Sequence, residues 1–535
     1  MPVTRCPSET LPASSARSTP CSTIPTAAAP SAPMAAPTPS AASTSARSPT
    51  GSMRSSARCA RISAGTRGAA GSIFPRSARA ERLALGTARI QQADGLMSIL
   101  SELPQRLRRV TSGGAYVPQI DGLRFLSVMP ILFFHSGLRA GRMMPDPVAG
   151  EATITAWFPF AGFAVTLFFF ISGYIIAYPF LAGRPPKLSH FYKRRLLRLE
   201  PPYFVVMIGC FVILSLYTPV SAPNFTFTEA PLWQSLAASL TYSHGLIFGQ
   251  SPRLNPPAWT LEREVQFYLL APFLIMAYLS IKNRALRLWF GGFALLALIV
   301  LGETLRHQLP FEHPLRHTLF GESYGFILGV MVCDYSVAVR PFEQPPRRRY
   351  DVLLVVGYIG MMLTGTAELR NIQFGYSEPT LAIATGSLNA FARASCIFLV
   401  FLGAARGTTG RVLLASPWVA LIGGACYSIY LLHLPLMHAM AAALERQFQP
   451  DSLIVATALC WAILVPACIA VGLMFYALIE RPCMRPKWPS ELAMAARRVL
   501  ASVRRLGRRQ ATTPNAADAQ PVALAVTERL HERVN

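Results

Sequence analysis

From residue 121 onward, the chain is a succession of long apolar segments separated by polar loops. Ten segments are long enough, or nearly so, to cross a membrane as helices, for which roughly 17 residues is the lower limit. Since every backbone polar group in lipid needs an internal partner, such segments fold as helices. The sequence therefore predicts an all-α integral membrane protein, a bundle of about ten transmembrane helices. Their approximate bounds are 121–138, 160–182, 203–220, 264–280, 288–304, 319–338, 351–366, 381–403, 418–443 and 452–479.

The composition agrees with a chain that faces lipid. Of the 535 residues, 52% are apolar and only 14% are charged, whereas a soluble protein has nearer a quarter of charged residues. The net charge of +24 is spread over inter-helix loops and both tails, so we expect no nucleic-acid partner. The ten cysteines form no CxxC pair, which favours free apolar thiols over a disulfide framework or a zinc site.

Loop charges predict the orientation of the bundle. The loops after the second, fourth, sixth and eighth segments are basic, as in the run Arg347, Arg348 and Arg349. The alternate loops are mixed and contain acids such as Glu229 and Glu312. Because Lys and Arg favour the cytoplasmic side of a membrane, both termini are predicted to be cytoplasmic.

The two ends of the chain differ from the bundle. Residues 1–96 are rich in Ala, Ser, Pro and Arg, and Glu9 is the only acid before Glu81. Such a composition cannot bury a core and predicts a disordered tail. A transit peptide, or a true start at Met97, are the alternative interpretations. Residues 484–535 are predicted to be a basic cytoplasmic tail containing a short surface helix.

The first apolar segment contains Arg124 and His135. Eleven helical steps separate them by about 16 Å along the axis. An ionisable residue in a membrane segment is costly and by default marks a functional site. A cation near one end of the helix and a proton-transfer group deep within it suggest an enzyme, although a lone His can also serve as a helix–helix hydrogen-bonding group.

The second cluster spans FFFISGY and the following basic stretch FYKRRLLRLEPPY. Ser172 and Gly173 interrupt bulky apolar residues, which predicts a close approach of another backbone at that point. Arg194, Arg195 and Arg198 have helical spacing, so one of the first two shares a face with the third. Guanidinium groups bind phosphate bidentately, so these arginines are candidates to bind a polyphosphorylated cofactor. Ser172 and Gly173 are predicted to belong to the same cofactor-binding site. A topology anchor that contacts lipid headgroups is the alternative.

The third cluster is PAWTLEREVQFYLL. Glu262 and Glu264 lie where the apolar segment begins, with Trp259 and Tyr268 as possible substrate-binding or interfacial aromatics. The topology gives Glu264 about the depth of His135. A carboxylate beside an imidazole would fix its tautomer and stabilise the imidazolium.

Two further motifs complete the set. His433 lies within YSIYLLH, where it could bind substrate or serve a structural role, and Glu480 lies within IERP at the predicted depth of Arg124. An ion pair is the simplest role for Glu480. His307, His313 and His317 share one outer loop, but without Cys or organised carboxylates we expect no metal site there.

Together these motifs resemble the acyltransferase-3 family, integral membrane proteins that O-acylate glycans and related molecules. The matching stretches cover about residues 116–483 and follow the order of the family. They are IDGLRFLSVMPILFFH, FFFISGY, FYKRRLLRLEPPY, PAWTLEREVQFYLL, YSIYLLH and IERP.

The resemblance implies a ten-helix bundle that binds no permanent cofactor and takes acyl-coenzyme A, expected to be acetyl-coenzyme A, from the cytoplasm. The acceptor would be a hydroxyl of a carbohydrate or cell-envelope glycan or glycolipid, at a bacterial inner (plasma) membrane. Arg124 and His135 would belong to the active site, with Glu264 as the first choice to orient His135 and Glu480 as the second. The acyl chain, the acceptor and the oligomeric state stay open.

One departure and two alternatives accompany this interpretation. The family motif often has a second acid after Glu264, whereas this chain has Val265. A polytopic transporter also uses buried Arg, His and Glu residues, but the segments show no inverted repeat. A polyprenyl-phosphate glycosyltransferase usually places acidic motifs in a large outer loop, and the loop at about 221–258 has Glu229 as its only acid.

Overall fold

A computed structural model describes residues 101–111, 116–158, 161–216, 231–374, 378–485, 488–494, 497–498 and 501. The regular elements in these ranges are all helical. The predictions for residues 1–96, and for most of the tail 484–535, lie outside the described residues. The helices are α1 Pro118–Arg142, α2 Pro147–Trp157, α3 Ala161–Leu181, α4 Leu188–Leu216, α5 Leu232–Leu240, α6 His244–Phe248, α7 Trp259–Ser280, α8 Arg284–Gln308, α9 Tyr324–Val339, α10 Arg349–Phe374, α11 Pro379–Arg406, α12 Thr409–Leu414, α13 Pro417–Gly424, α14 Cys426–Gln447, α15 Leu453–Phe475 and α16 Arg481–Cys483.

Each of the ten predicted segments overlaps at least one of these helices. Among the described residues, six helices are long and apolar enough to cross a membrane. Of the others, α9 has only 16 residues, and α1 contains Asp121 and Arg124. The number of crossings therefore stays a prediction. The six helices are Gly162–Leu181, Leu188–Leu216, Arg284–Gln308, Pro379–Arg406, Cys426–Gln447 and Leu453–Cys483.

Two predicted segments differ in their bounds. The segment predicted at 203–220 is the second half of α4, which already begins at Leu188 and includes the basic motif. Arg, Lys and Leu are good helix formers, so the helix extends through the charged stretch. The segment predicted at 418–443 is divided into α13 and α14 at Ala425. The basic motif is thus held rigidly by a long helix and is not part of a loop.

Helix α1 lies in the interior and packs against α2, α3, α13, α14 and α15. Large apolar side chains are exposed instead on the outward faces of other helices, such as Val212 of α4, Trp289 and Phe293 of α8 and Val355 of α10. So large an apolar surface is suited to lipid and not to water.

Glycine allows α3 and α9 to approach closely. A Cβ atom at Gly173 would overlap the carbonyl oxygen of Phe326, and one at Gly329 would overlap that of Phe170. The structure therefore places Gly173 at a close helix contact, as its position among bulky apolar residues predicts. This contact fixes the position of α3 beside α7 and α9.

Pro435 lies inside α14. It has no N–H group to donate to the carbonyl oxygen of Leu431, four residues earlier. The side-chain amide of Asn255 donates to that oxygen instead, at 2.8 Å. The hydrogen bond ties the 3₁₀ turn Pro256–Ala258, which leads into α7, to the middle of α14.

Candidate active site

One face of α1 connects Arg124 to His135. Val128 and Ile131 lie between them at intervals of four, three and four residues, which places all four residues on the same side of the helix. A narrow cavity with an apolar lining adjoins this face. Its walls are Ser127, Val128 and Ile131 of α1, Val165 and Phe168 of α3, Thr260 of α7, and Cys426 and Tyr430 of α14. We call the two ends of this arrangement the Arg124 end and the His135 end.

A buried ion pair dominates the Arg124 end. Arg124 donates to Asp121, one turn earlier in α1, and Arg109 lies 3.3 Å from the same carboxylate oxygen. The side chains of Arg124 and Asp121 are only 8% and 4% exposed. Neither Asp121 nor Arg109 is among the residues that the sequence motifs predict for the site. The three-residue spacing of Asp121 and Arg124 on one helix is a sequence signal for their ion pair. Arg109 lies outside α1, so only the folded structure reveals that it contacts Asp121.

Arg195 and Arg198 of α4 reach the same end of the bundle. The guanidinium carbon of Arg195 lies 4.4 Å from the centre of the Tyr268 ring, a cation–π contact. Arg198 interacts electrostatically with Glu480 and Arg109. The Nε atoms of both arginines are buried without a hydrogen-bond partner in the described structure. Arg194 precedes Arg195 by one residue and so lies about 100° away around the helix.

Glu264 joins α7 to α3. Its carboxylate accepts a hydrogen bond from the Ser172 hydroxyl at 2.6 Å and another from the Tyr268 hydroxyl, and Arg195 lies close enough to interact electrostatically. Within the described residues, the hydrogen bonds of Glu264 thus run to Ser172 and Tyr268 and not to His135. The carboxylate lies on the side of the arginines.

Glu480 lies in the π-helical turn Tyr476–Glu480 and is 1% exposed. One carboxylate oxygen accepts from the backbone N–H and the hydroxyl of Ser428, at 3.2 and 2.6 Å. The other oxygen is buried without a hydrogen-bond partner in the described part of the chain. Glu480 therefore lies at the Arg124 end of the bundle, where Arg198 is its main electrostatic partner. Arg124 itself forms its ion pair with Asp121.

At the other end, two imidazoles face each other. The ring centres of His135 and His433 lie 5.2 Å apart, with a 45° angle between the ring planes. His433 is completely buried, and its Nδ1 lies 2.5 Å from the carbonyl oxygen of Tyr430. The Tyr430 hydroxyl in turn lies 3.1 Å from that of Thr260. In the third motif, Thr260 thus contacts Tyr430, the residue whose carbonyl oxygen binds His433, whereas Glu264 bonds to Ser172 and Tyr268.

The remaining charges of that motif hold neighbouring turns against α7. Glu262 accepts hydrogen bonds from the backbone N–H groups of His244 and Gly245, at 3.1 and 2.9 Å. Arg263 lies 3.1 Å from the carboxylate of Glu322, and its guanidinium carbon lies 4.4 Å from the ring centre of Trp259. Glu262 and Arg263 thus position the outer loops that they contact.

The loop histidines engage separate partners. His317 lies 2.9 Å from the carbonyl oxygen of Phe311, and His307 lies 3.7 Å from Glu303. Burial lowers the pKa of His244 and of His317, so both imidazoles are neutral at pH 7. No group of three or more His, Cys, Asp or Glu side chains suited to a metal ion is found among the described residues.

The helices and the buried polar residues within them define a multi-pass integral membrane protein. The family model described as "Acyltransferase domain" matches residues 117–477, which is more than half of the chain. The chain belongs to the acyltransferase-3 family.

Two relatives illustrate this membership. One is the peptidoglycan O-acetyltransferase OatA of Listeria monocytogenes, 26% identical over 351 residues that cover 62% of this chain and 51% of that protein. Another is the O-acetyltransferase OatA of Staphylococcus aureus, 23% identical over 344 residues that cover 60% and 51%. The chain thus spans about half the length of the curated relatives it matches. No solved structure gives a significant match to it.

Proposed function

We propose that this protein is a membrane O-acyltransferase that moves an acyl group, expected to be acetyl, from acyl-coenzyme A to a hydroxyl of a cell-envelope glycan. The observation that carries the proposal is the face of α1 that joins the buried arginines at one end to the His135–His433 pair at the other. A small apolar cavity lies between them, beside Val128 and Ile131. The names of the relatives, which are O-acetyltransferases, support the acetyl group and the glycan acceptor.

The arginine side chains would bind the donor. Arg194, Arg195 and Arg198, with Arg124 and Arg109 nearby, offer forked donors that match phosphate oxygens. The unpartnered Nε atoms of Arg195 and Arg198 support this role, because a bound phosphate would accept from them. The basic loop charges predict that this end of the bundle faces the cytoplasm, where coenzyme A is available.

The slender arm of coenzyme A that carries the thioester would extend along this face of α1 and would widen the narrow cavity beside Val128 and Ile131. The span between Arg124 and His135 is about 16 Å. The acyl carbon would then lie beside His135, separated from the phosphates by the bulk of the membrane bundle. A separation of this kind lets the donor stay on one side while the acceptor approaches from the other.

His135 would act as general base on the acceptor hydroxyl. As the imidazole removes the hydroxyl proton, the oxygen bonds to the acyl carbon and the C–S bond of the thioester breaks. The proton passes to the leaving thiolate, which regenerates neutral His135. Proton transfer by a positioned side chain contributes roughly 10²–10⁴-fold to a rate.

The other predicted site residues would position these groups. Ser172 and Tyr268 hold Glu264, which offsets the charge of Arg195, and Gly173 brings α3 close enough for this contact. Glu480 would hold Arg198 in place. Trp259, together with the loops anchored by Glu262 and Arg263, would form the approach for the acceptor at the His135 end.

Acyl transfer is tested with membranes containing the protein or its His135→Ala variant, incubated with radiolabelled acetyl-coenzyme A and cell-envelope glycans. We expect label in the glycan with the unmodified protein and loss of at least 99% of it with His135→Ala, while the variant still inserts. Normal labelling by His135→Ala would sink the assignment of the base. Absence of label with acetyl and other common acyl donors would favour the transporter alternative.

A further inference from the structure

Within the described part of the chain, His433 carries a buried nitrogen without a hydrogen-bond partner. Its Nδ1 lies within hydrogen-bonding distance of the Tyr430 carbonyl oxygen, and a carbonyl oxygen can only accept. Nδ1 therefore bears the proton, which leaves a lone pair on Nε2 of the neutral ring. Nε2 is buried and has no hydrogen-bond partner in the described structure. Since a buried acceptor without a donor is costly, this atom points to a partner in the working enzyme.

His135 is the neighbour that can supply the donor. The distance of 5.2 Å between the two ring centres is short enough that a small rotation of the half-buried His135 side chain brings an N–H group to Nε2. The charged and titratable groups that act on His135 are Arg139, His438 and His433. Arg139 has no acceptor. The carboxylates predicted to orient His135 are engaged elsewhere, Glu264 by Ser172 and Tyr268 and Glu480 by Ser428.

We propose that His433 is the positioning residue for His135. Its Nε2 accepts the N–H of His135 and so fixes which ring nitrogen of His135 carries the lone pair. The inference rests on the proposed function and deepens it, because the free nitrogen is the one that acts as base on the acceptor hydroxyl. A neutral imidazole thus takes the place that a carboxylate has in many Ser–His–Asp sites.

The pair also distributes the proton that His135 gains. When His135 removes the hydroxyl proton, its other N–H proton moves along the hydrogen bond to Nε2 of His433. His433 is then an imidazolium whose Nδ1–H still donates to the Tyr430 carbonyl oxygen. The proton returns to His135, and His135 protonates the leaving thiolate. The pair thus gains one proton from the hydroxyl and gives one to the thiolate, and both rings end neutral.

Two substitutions of His433 separate this role from simple packing. His433→Leu keeps the apolar volume but removes the acceptor, whereas His433→Gln retains an amide oxygen near the position of Nε2. We expect His433→Leu to lower kcat about 100-fold with KM nearly unchanged, since small misplacements of a reacting group have effects of this size. We expect His433→Gln to recover most of that loss. Met437→Leu, one turn further along α14, is the matched control for repacking and should keep the unmodified kcat.

A measurement that needs no activity completes the test. With ¹⁵N-labelled histidine, the ring nitrogen shifts of His135, identified by their disappearance in His135→Ala, should indicate one tautomer in the unmodified protein. They should indicate a mixture in His433→Leu. Equal His135 shifts in both proteins would overturn the proposal, as would a normal kcat of His433→Leu or a His433→Gln variant no better than His433→Leu. The spectra report the tautomer of His135 even if the unmodified protein transfers no acetyl group. Failure of the positioning role is therefore distinguishable from failure of the proposed function.

Discussion

At the scale of single residues, the interior of this bundle contains buried charges that are paired with one another. Arg124 and Arg109 share the carboxylate of Asp121, and Arg198 lies beside Glu480. Removing one member of a buried pair leaves an uncompensated charge and costs about 3–5 kcal/mol. Such pairs therefore hold the guanidinium groups in fixed positions, which a phosphate-binding site requires.

Arg198→Gln is expected to weaken donor binding. Loss of a charge-assisted hydrogen bond costs about 1.5–3 kcal/mol, and about 1.4 kcal/mol corresponds to a tenfold change. We expect KM for acetyl-coenzyme A to rise about 10- to 100-fold, measured by initial rates of labelled-glycan formation. Lys193→Gln is the matched control, because Lys193 is exposed and lies about 140° from Arg198 around α4. It should raise KM by no more than about threefold. An equal rise in both variants would indicate a general loss of positive charge instead.

At the scale of helices, the contact between α3 and α9 decides where Ser172 lies. Gly173 and Gly329 face the opposite backbone, with no room for a side chain at either position. Because Ser172 is the neighbour of Gly173 and donates to Glu264 at 2.6 Å, the packing of these two helices and the position of the Glu264 carboxylate are coupled.

Gly173→Ala should therefore destabilise the protein. The added methyl group overlaps the carbonyl oxygen of Phe326, and overpacking of this kind costs about 1–3 kcal/mol. Gly209→Ala is the matched control, since a Cβ atom at Gly209 in α4 meets nothing within 4 Å. There we expect a gain of about 0.5–1 kcal/mol, the usual effect of Gly→Ala inside a helix. Thermal unfolding in detergent measures both; a Gly173→Ala variant as stable as Gly209→Ala would contradict the close contact.

At the scale of the whole molecule, the proposed mechanism requires that the two ends of the α1 face open to opposite sides of the membrane. The loop after α3 leads into the basic motif of α4, while the turn Pro314–His317 lies between α8 and α9, in a loop predicted to face outward. Exposed positions in these two loops therefore report the orientation of the bundle.

Single cysteines at Lys187 and Glu312, both exposed, test that orientation with a membrane-impermeant thiol reagent. We expect Lys187→Cys to react only after the membrane is opened and Glu312→Cys to react in intact cells. The unmodified protein is the control for background, since six of its seven described cysteines are buried. Labelling of both variants in intact cells would contradict the proposed topology.

The sequence by itself determined the helices and the order of the polar motifs along them. Apolar length predicts membrane helices without reference to neighbours, and the spacing of Arg124 and His135 fixes that both lie on one face of one helix. The basic motif was recognisable too. Its position in the first half of α4, and not in a loop, was not predicted. These features depend only on the periodicity and composition of one segment, so they can be predicted without knowing its neighbours.

Only the tertiary structure decided which polar groups meet. Glu264 was expected beside His135, yet its hydrogen bonds run to Ser172 and Tyr268, while His433 lies against His135. Depth estimated from the start of an apolar segment is uncertain by a turn or more, and the rotation of each helix about its axis is set by packing with its neighbours. A rotation of 100° per residue moves a side chain from one partner to another, so pairings between distant segments follow from packing and not from periodicity.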